Sequence, residues 1–436
     1  MKAKNMESTV KEIKVKDKKQ EKISKYAWLL IIMCWLVYSC SYLGKVNYAA
    51  NINQVMAFYN VSHAEAGLVS TCLFFSYAAG QIFNGIFCKK YNVPVMVFVS
   101  MALSGSINLA VAVVPDFGVV KYLWLINGFS LSILWPSLIR LLSETISKKN
   151  MTKAIMLMGT TVALGTFAIY GLSALFATFN AFKLAFIVAG AVMIAVGIIW
   201  IIIVPSTVKK AVVEEAENEA EEQKIAEKQD TGKLAKRLIY LSICVLAFFG
   251  IATNLVKDGL TTWVPSILKE GYNLGESMSI LLTLALPVVS IFGNALAVKT
   301  NKILPDFVIQ CAVFFAISGA IIGGVIAGLA LDQFALTLIG FTFVCFLVSA
   351  SNSVITSIFP LYMKGKVNSG MIAGILNGFC YVGSTASSYG LGLVADHFGW
   401  TAVFWLLLGV CIVIAVCGVI YGVIKAAMQK AYRNLQ

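Results

Sequence analysis

The chain has 436 residues, of which 59% are hydrophobic and only 13% charged. That balance excludes an ordinary soluble domain and a disordered chain, and points to a protein that crosses a membrane many times. The net charge of +13 is concentrated in the N-terminal tail and the short connections, so it reads as membrane orientation rather than as a nucleic-acid surface.

Residues 1–25 are polar and carry nine lysines. This tail is too long and too charged for a cleavable signal peptide, so the first apolar run is expected to act as an uncleaved anchor. About 20 apolar residues suffice to cross a bilayer. Twelve such segments follow, at roughly 27–57, 65–87, 93–114, 119–145, 152–177, 182–204, 238–267, 277–298, 304–330, 333–361, 368–394 and 400–424. An even number puts both termini on one side. The connections after the second, fourth, eighth and tenth segments carry Lys89 and Lys90, Lys148 and Lys149, Lys299 and Lys302, and Lys364 and Lys366. Those after the first, ninth and eleventh carry no Lys or Arg, and those after the third, fifth and seventh carry one each (Lys121, Lys183, Lys269). This bias assigns both termini to the cytoplasm of a multi-pass protein of the inner or plasma membrane.

One stretch breaks the pattern. Residues 206–237 are polar, with "EEAENEAEEQKIAEKQD" at their centre, and read as a charged, partly helical tether. It divides the chain into a six-helix bundle at 26–205 and another at 238–424, with a short tail at 425–436. The halves look alike where a repeat would place the likeness: "NGIFCKKYN" after the second segment and "GNALAVKTN" after the eighth both end in Lys-x-Asn. The fold expected is an all-α membrane protein of two six-helix pseudo-repeats around a central cavity, with the substrate at their interface. The ten cysteines are scattered through apolar segments without metal-ligand spacing. No nucleotide loop, catalytic triad, metal motif or cofactor motif is present, so an enzyme is not expected.

The charges inside the apolar segments carry the functional signal. Lys45 lies 18 residues after Ala27, and Lys257 lies 19 after Leu238, each at the same depth in the first helix of its half. Tyr38, Ser41 and Tyr42 share the face of Lys45; Gly250, Thr253, Asn254 and Thr261 share that of Lys257. A lysine near a helix end can snorkel. Two at matching depth, on polar stripes, point instead to a lined cavity. A buried ammonium without a partner is expensive, so the expected partner is an anion that comes and goes, carrying phosphate or carboxylate. Asp258 follows Lys257 and points about 100° away on a helix. It serves either as a local counter-ion or as a proton-titratable coupling group. Tyr77 and Gln81 in the second segment, and Tyr381 in the eleventh, are large polar residues suited to the same cavity. The Ser-rich faces of the tenth and eleventh segments fit helix packing as well. Arg140 reads as an interface anchor. His63 and His397 lie near helix ends, away from any mid-membrane relay.

At these residues the sequence resembles the major facilitator superfamily, and within it the organophosphate:inorganic phosphate antiporters (the glycerol-3-phosphate and hexose-phosphate transporters). The similarity runs over essentially the whole transmembrane part. The stretch Tyr42-Leu43-Gly44-Lys45-Val46-Asn47-Tyr48-Ala49 follows a family pattern in which arginine stands at the lysine. So does Leu255-Val256-Lys257-Asp258-Gly259 with Trp263 and Pro265. Trp135-Pro136 with Arg140, and Gly374, Tyr381, Gly383, Asp396 and Phe398-Gly399-Trp400, extend the match. The resemblance implies that Lys45 and Lys257 clamp an anion, and that Tyr38, Tyr42, Tyr77, Trp135 and Tyr381 line the cavity. This chain departs from the pattern in both arginines, in Gln81 where a basic residue stands, in Thr160 and Thr161 near the place of a histidine, and in Lys89-Lys90 in place of Asp-Arg. Lysine is a point charge without arginine's bidentate fork.

The expectation is a secondary transporter of a small organic anion, an organophosphate exchanged for phosphate by alternating access. It would act as a monomer in a lipid bilayer, with no nucleic-acid partner. The alternatives are a proton- or sodium-coupled carboxylate symporter and a non-transporting organophosphate sensor.

Overall fold

The computed structural model describes residues 24–87, 91–146, 153–154, 157–219, 233–363 and 369–433. Residues 1–23, Lys89, Lys90, Lys148, Lys149, the linker core 220–232, Lys364, Lys366 and 434–436 lie outside them. Among the described residues there are helices and turns and no strand. Ten helices each cross once: α1 (Lys25–Ala50), α2 (His63–Asn84), α3 (Val93–Val113), α4 (Phe117–Thr145), α5 (Thr161–Thr178), α6 (Lys183–Ala211), α7 (Arg237–Tyr272), α8 (Glu276–Asn301), α9 (Phe307–Ala330) and α10 (Phe334–Ile358). The last apolar helix, Gly374–Ala431, is 58 residues long. At 1.5 Å per residue it would measure roughly 87 Å, nearly three times the ~30 Å hydrocarbon layer. Gly399, at φ 77°, ends one helix and starts another, a backbone that favours glycine. Residues 374–398 are therefore α11 and 400–431 are α12, which makes twelve crossings. The face of the bundle at which α1 starts and α12 ends is called here the terminal face, and the opposite one the distal face.

Several crossings are broken in ways the apolar runs did not show. The first breaks at Asn51 (φ −108°, ψ 20°), after which a short helix, Ile52–Tyr59, continues. The Asn51 amide is turned inward, donating to the Asn47 carbonyl and to Ser173 Oγ of α5 at 2.8 Å each. α4 breaks at Ser132 and Ile133, just before Pro136. Proline has no N–H, so the carbonyl four residues back, that of Ser132, loses its helical donor. The Gln81 amide approaches that carbonyl at 3.5 Å, and Asn84 donates to Ser132 Oγ at 2.9 Å. Pro265 does the same in α7: it frees the Thr261 carbonyl, which accepts from Tyr170 OH of α5 at 3.1 Å. α8 consists of three short helices around Pro287, and α10 ends in a π-helical turn, Val354–Ile358. α6 continues as helix past its apolar part to Glu219, and Lys121, Lys183 and Lys269 sit inside helices rather than in the connections.

Helices pack closely where glycine removes a side chain. A Cβ on Gly383 of α11 would stand 1.9 Å from the Ile251 carbonyl oxygen of α7. Backbone cannot rotate aside as a side chain does. Gly383→Ala is therefore expected to push α7 and α11 apart and cost about 1–3 kcal/mol, read as a lower melting temperature of the purified protein in detergent.

The buried apolar residues show how the halves meet. Near the terminal face α1, α3, α4 and α6 have a core of their own, with Leu30, Val97, Leu138 and Trp200 fully buried. Near the distal face Ile52, Val69, Trp124 and Phe186 belong to the same core as α7 to α12. The two halves are thus closed together at the distal face.

Candidate substrate site

Lys45 is 8% exposed. Its Nζ lies 3.7 Å from the ring centroid of Tyr77, 5.1 Å from that of Tyr42 and 5.5 Å from that of Tyr381. Three helices supply these rings: α1, α2 and, across the interface, α11. The rings of Tyr77 and Tyr381 are 4.8 Å apart, and Tyr38 packs on Tyr42 at 5.6 Å and on Trp135 at 4.9 Å. One aromatic cluster therefore holds Lys45, Tyr38, Tyr42, Tyr77, Trp135 and Tyr381. A close cation–π contact contributes at most about 2 kcal/mol, whereas desolvating an ammonium costs several. Among the described residues no carboxylate pairs with Lys45, so the cage leaves a cation that an anion would further stabilise.

Lys257 is different. Its Nζ lies 3.3 Å from Asp258 Oδ1, so the neighbours bend toward each other despite their angular separation on the helix. Asp258 Oδ2 accepts from Ser384 Oγ of α11 at 2.5 Å, and Ser384 Oγ accepts from the Asn254 amide at 3.0 Å. Asn254 Oδ1 accepts from Asn352 of α10 at 3.3 Å. This chain of bonds ties α7, α10 and α11 and turns Asp258 toward the interface, within electrostatic reach of Lys45 and Tyr381. Asn254, expected at the substrate, is 4% exposed with both ends of its amide already engaged. Gln81 is turned toward α4, and Thr160 accepts from the Trp35 indole at 3.0 Å. Arg140 binds Glu144 at 2.8 Å. A cavity of about 350 Å³ at the terminal face, among Ser242, Asp306, Tyr421 and Lys425, contains none of the predicted site residues.

The distal closure was not anticipated from sequence. His63, at the start of α2, sits between two carboxylates of the other half: Nε2 is 2.7 Å from Glu270 Oε1 and Nδ1 is 2.7 Å from Asp396 Oδ1. Asp396 also accepts from the backbone N–H groups of His63 at 3.0 Å and Ala64 at 2.7 Å, a carboxylate at the positive end of α2. The Trp400 indole donates to Glu270 Oε2 at 2.7 Å. Thr71 donates to the Thr385 carbonyl at 2.9 Å, and Ser266 to Asn53 Oδ1 at 2.6 Å. α2 and α11 approach so closely that a Cβ on Gly67 would stand 2.2 Å from the Ser388 oxygen. Gly67→Ala is thus expected to hold the distal face open without unfolding either half. Cysteines introduced at Thr71 and Thr385, in a background without the native cysteines, should then cross-link several-fold less.

The sequence from 34 to 371 matches the model of the Major Facilitator Superfamily. The chain belongs to that family. It is accordingly a multi-pass membrane transporter and not an enzyme. It is 31% identical over 193 residues to YdjK of Escherichia coli (strain K12), a protein named for metabolite transport, a match covering 43% of this chain and 38% of that protein. It is 21% identical over 411 residues to Sugar phosphate exchanger 3 of Bos taurus, covering 84% of this chain and 81% of that one. The crystal structure of a D-xylose–proton symporter superposes with TM-score 0.70 at 13% identity, over 90% of this chain and 97% of the other, which is a likeness of fold.

Proposed function

We propose that this transporter carries a small organic anion by alternating access, and that the anion is an organophosphate exchanged for inorganic phosphate. The observation that carries the reading is Lys45, buried in a tyrosine cage at the interface of the halves and, among the described residues, not ion-paired to a carboxylate. The similarity to a sugar phosphate exchanger along most of the chain supports the phosphate class. Lys45 and Lys257 would hold the anion, with Tyr38, Tyr42, Tyr77, Trp135 and Tyr381 around it. The lysine bias of the connections makes the terminal face cytoplasmic. The closed distal face then corresponds to an inward-facing carrier of the inner or plasma membrane. Rocking of the halves would break the contacts of His63 and open the other side.

The Lys257–Asp258 pair favours a second reading, a proton-coupled carboxylate symporter in which Asp258 takes the proton. The two are separated by uptake of labelled phosphate into proteoliposomes preloaded with phosphate, with and without imposed pH and sodium gradients. Exchange without a gradient, blocked by glycerol phosphate or hexose phosphate, is the expected result. Dicarboxylate uptake that needs a gradient would establish the symporter, and binding without transport under any gradient a sensor. Lys45→Arg with Lys257→Arg is expected to raise phosphate affinity, since two forked guanidiniums grip phosphate better than two point charges. Loss of all transport in the folded double variant would speak against phosphate.

A further inference from the structure

We infer that Asp258 is a resident counter-anion that sets the charge the site accepts: a monoanion while Asp258 is ionised, and a dianion only together with one proton. The inference rests on the reading above, that an anion binds at Lys45 and Lys257.

The charge balance comes first. Among the described residues, Lys45, Lys257 and Asp258 are the charged side chains in the middle of the bundle; the other Lys, Arg, Asp and Glu of the spans lie near one face or the other. Two ammonium groups and one carboxylate leave one net positive charge. A monoanion cancels it. A dianion leaves one negative charge away from water, where an uncompensated charge is costly. Protonating Asp258 restores the balance and frees the Lys257 ammonium for the second charge of the ligand.

The hydrogen bonds permit both states. In the ionised state Asp258 Oδ1 faces Lys257 at 3.3 Å and Oδ2 accepts from Ser384 at 2.5 Å. A hydroxyl both donates and accepts. With a proton on Oδ2, Asp258 donates to Ser384 Oγ, and the Ser384 hydrogen turns to the Cys380 carbonyl, 3.4 Å away. No bond is lost, and the proton has a defined atom to occupy. Asp258 touches Lys257 on α7 and Ser384 on α11, with Asn254 behind Ser384, and the titratable groups within its electrostatic range are Tyr381 and Cys380 on α11, Cys345 on α10 and Lys45 on α1. Of these only the two lysines are cations.

The test uses the full-length purified protein and two probes whose charge does not change between pH 5.5 and 8.5: sulfate, a dianion, and methyl sulfate, a monoanion with the same head. Affinity is read from tryptophan fluorescence, and proton uptake from an indicator dye in weak buffer. In the wild type, sulfate should bind up to tenfold more tightly for each unit of pH decrease while Asp258 is ionised, and take up close to one proton. Methyl sulfate should bind with little pH dependence. In Asp258→Asn, sulfate should bind tightly at every pH with no proton uptake, and the preference should shift tenfold or more toward the dianion. Asp258→Glu should keep the proton uptake. Equal pH slope and charge preference in wild type and Asp258→Asn would overturn the inference while leaving the anion site intact. Absence of binding by either probe, or binding that survives Lys45→Ala with Lys257→Ala, would overturn the anion site itself and this inference with it.

Discussion

Lys45→Ala abolishes anion binding in the purified protein and leaves the fold intact: this is the expected result with the largest effect. Truncating one member of a buried charge pair costs about 2–5 kcal/mol, roughly 30- to 5,000-fold in affinity. The companion effect has the opposite sign. In the unloaded protein Lys45 is a buried ammonium set against tyrosine rings, and with Lys257 and Asp258 it leaves the site one net positive charge. Removing it removes a desolvated charge, so the melting temperature without ligand should hold or rise. Lost binding together with undiminished stability is the signature of a residue placed for a ligand. Equilibrium binding and thermal melting on the same sample read both. Affinity within a factor of three of wild type would end the anion-clamp reading.

Asp396→Ala is expected to open the distal face. Asp396 accepts from two backbone N–H groups at the start of α2 and faces the His63 ring. A hydrogen bond to a charged group contributes about 1.5–3 kcal/mol and a helix cap about 1. Losing them only in the closed state shifts the equilibrium by about 3 kcal/mol, roughly 150-fold. Spin labels at the exposed distal positions Tyr122 and Leu331 would report it as a population at longer distance. Raising the pH acts in the same direction. Both ring nitrogens of His63 face carboxylate oxygens, which only the doubly protonated imidazolium can satisfy. A neutral ring has one N–H, so either Glu270 or Asp396 loses its donor and closure weakens. An unchanged distance distribution in Asp396→Ala would show that the apolar contacts between the halves suffice to hold the face shut.

The tyrosines beside Lys45 were legible as a stripe because helical periodicity puts Tyr38 and Tyr42 on its face. Their convergence was not legible. Tyr77 and Tyr381 stand 4.8 Å apart but 304 residues apart in sequence, on helices of different halves. Asp258 shows the limit of a periodicity argument. Adjacent residues diverge on a helix, yet a long lysine side chain reaches back, and Ser384 fixes the carboxylate where the pair can form. His63 looked like a residue at a helix end and no more, because its partners, Glu270 and Asp396, come from other helices of the second half.

By itself the sequence determined twelve apolar crossings, and two lysines at matching depth in the first and the seventh of them. Apolar length and charge cost in a bilayer are local properties, summed along one helix. The tertiary structure alone decided which face is shut, that tyrosines from both halves enclose Lys45, and that Asp258 pairs directly with Lys257. Those depend on contacts between helices far apart in sequence: Pro136 and Pro265 free carbonyls that Gln81 and Tyr170 reach, and Gly67 lets α2 meet α11.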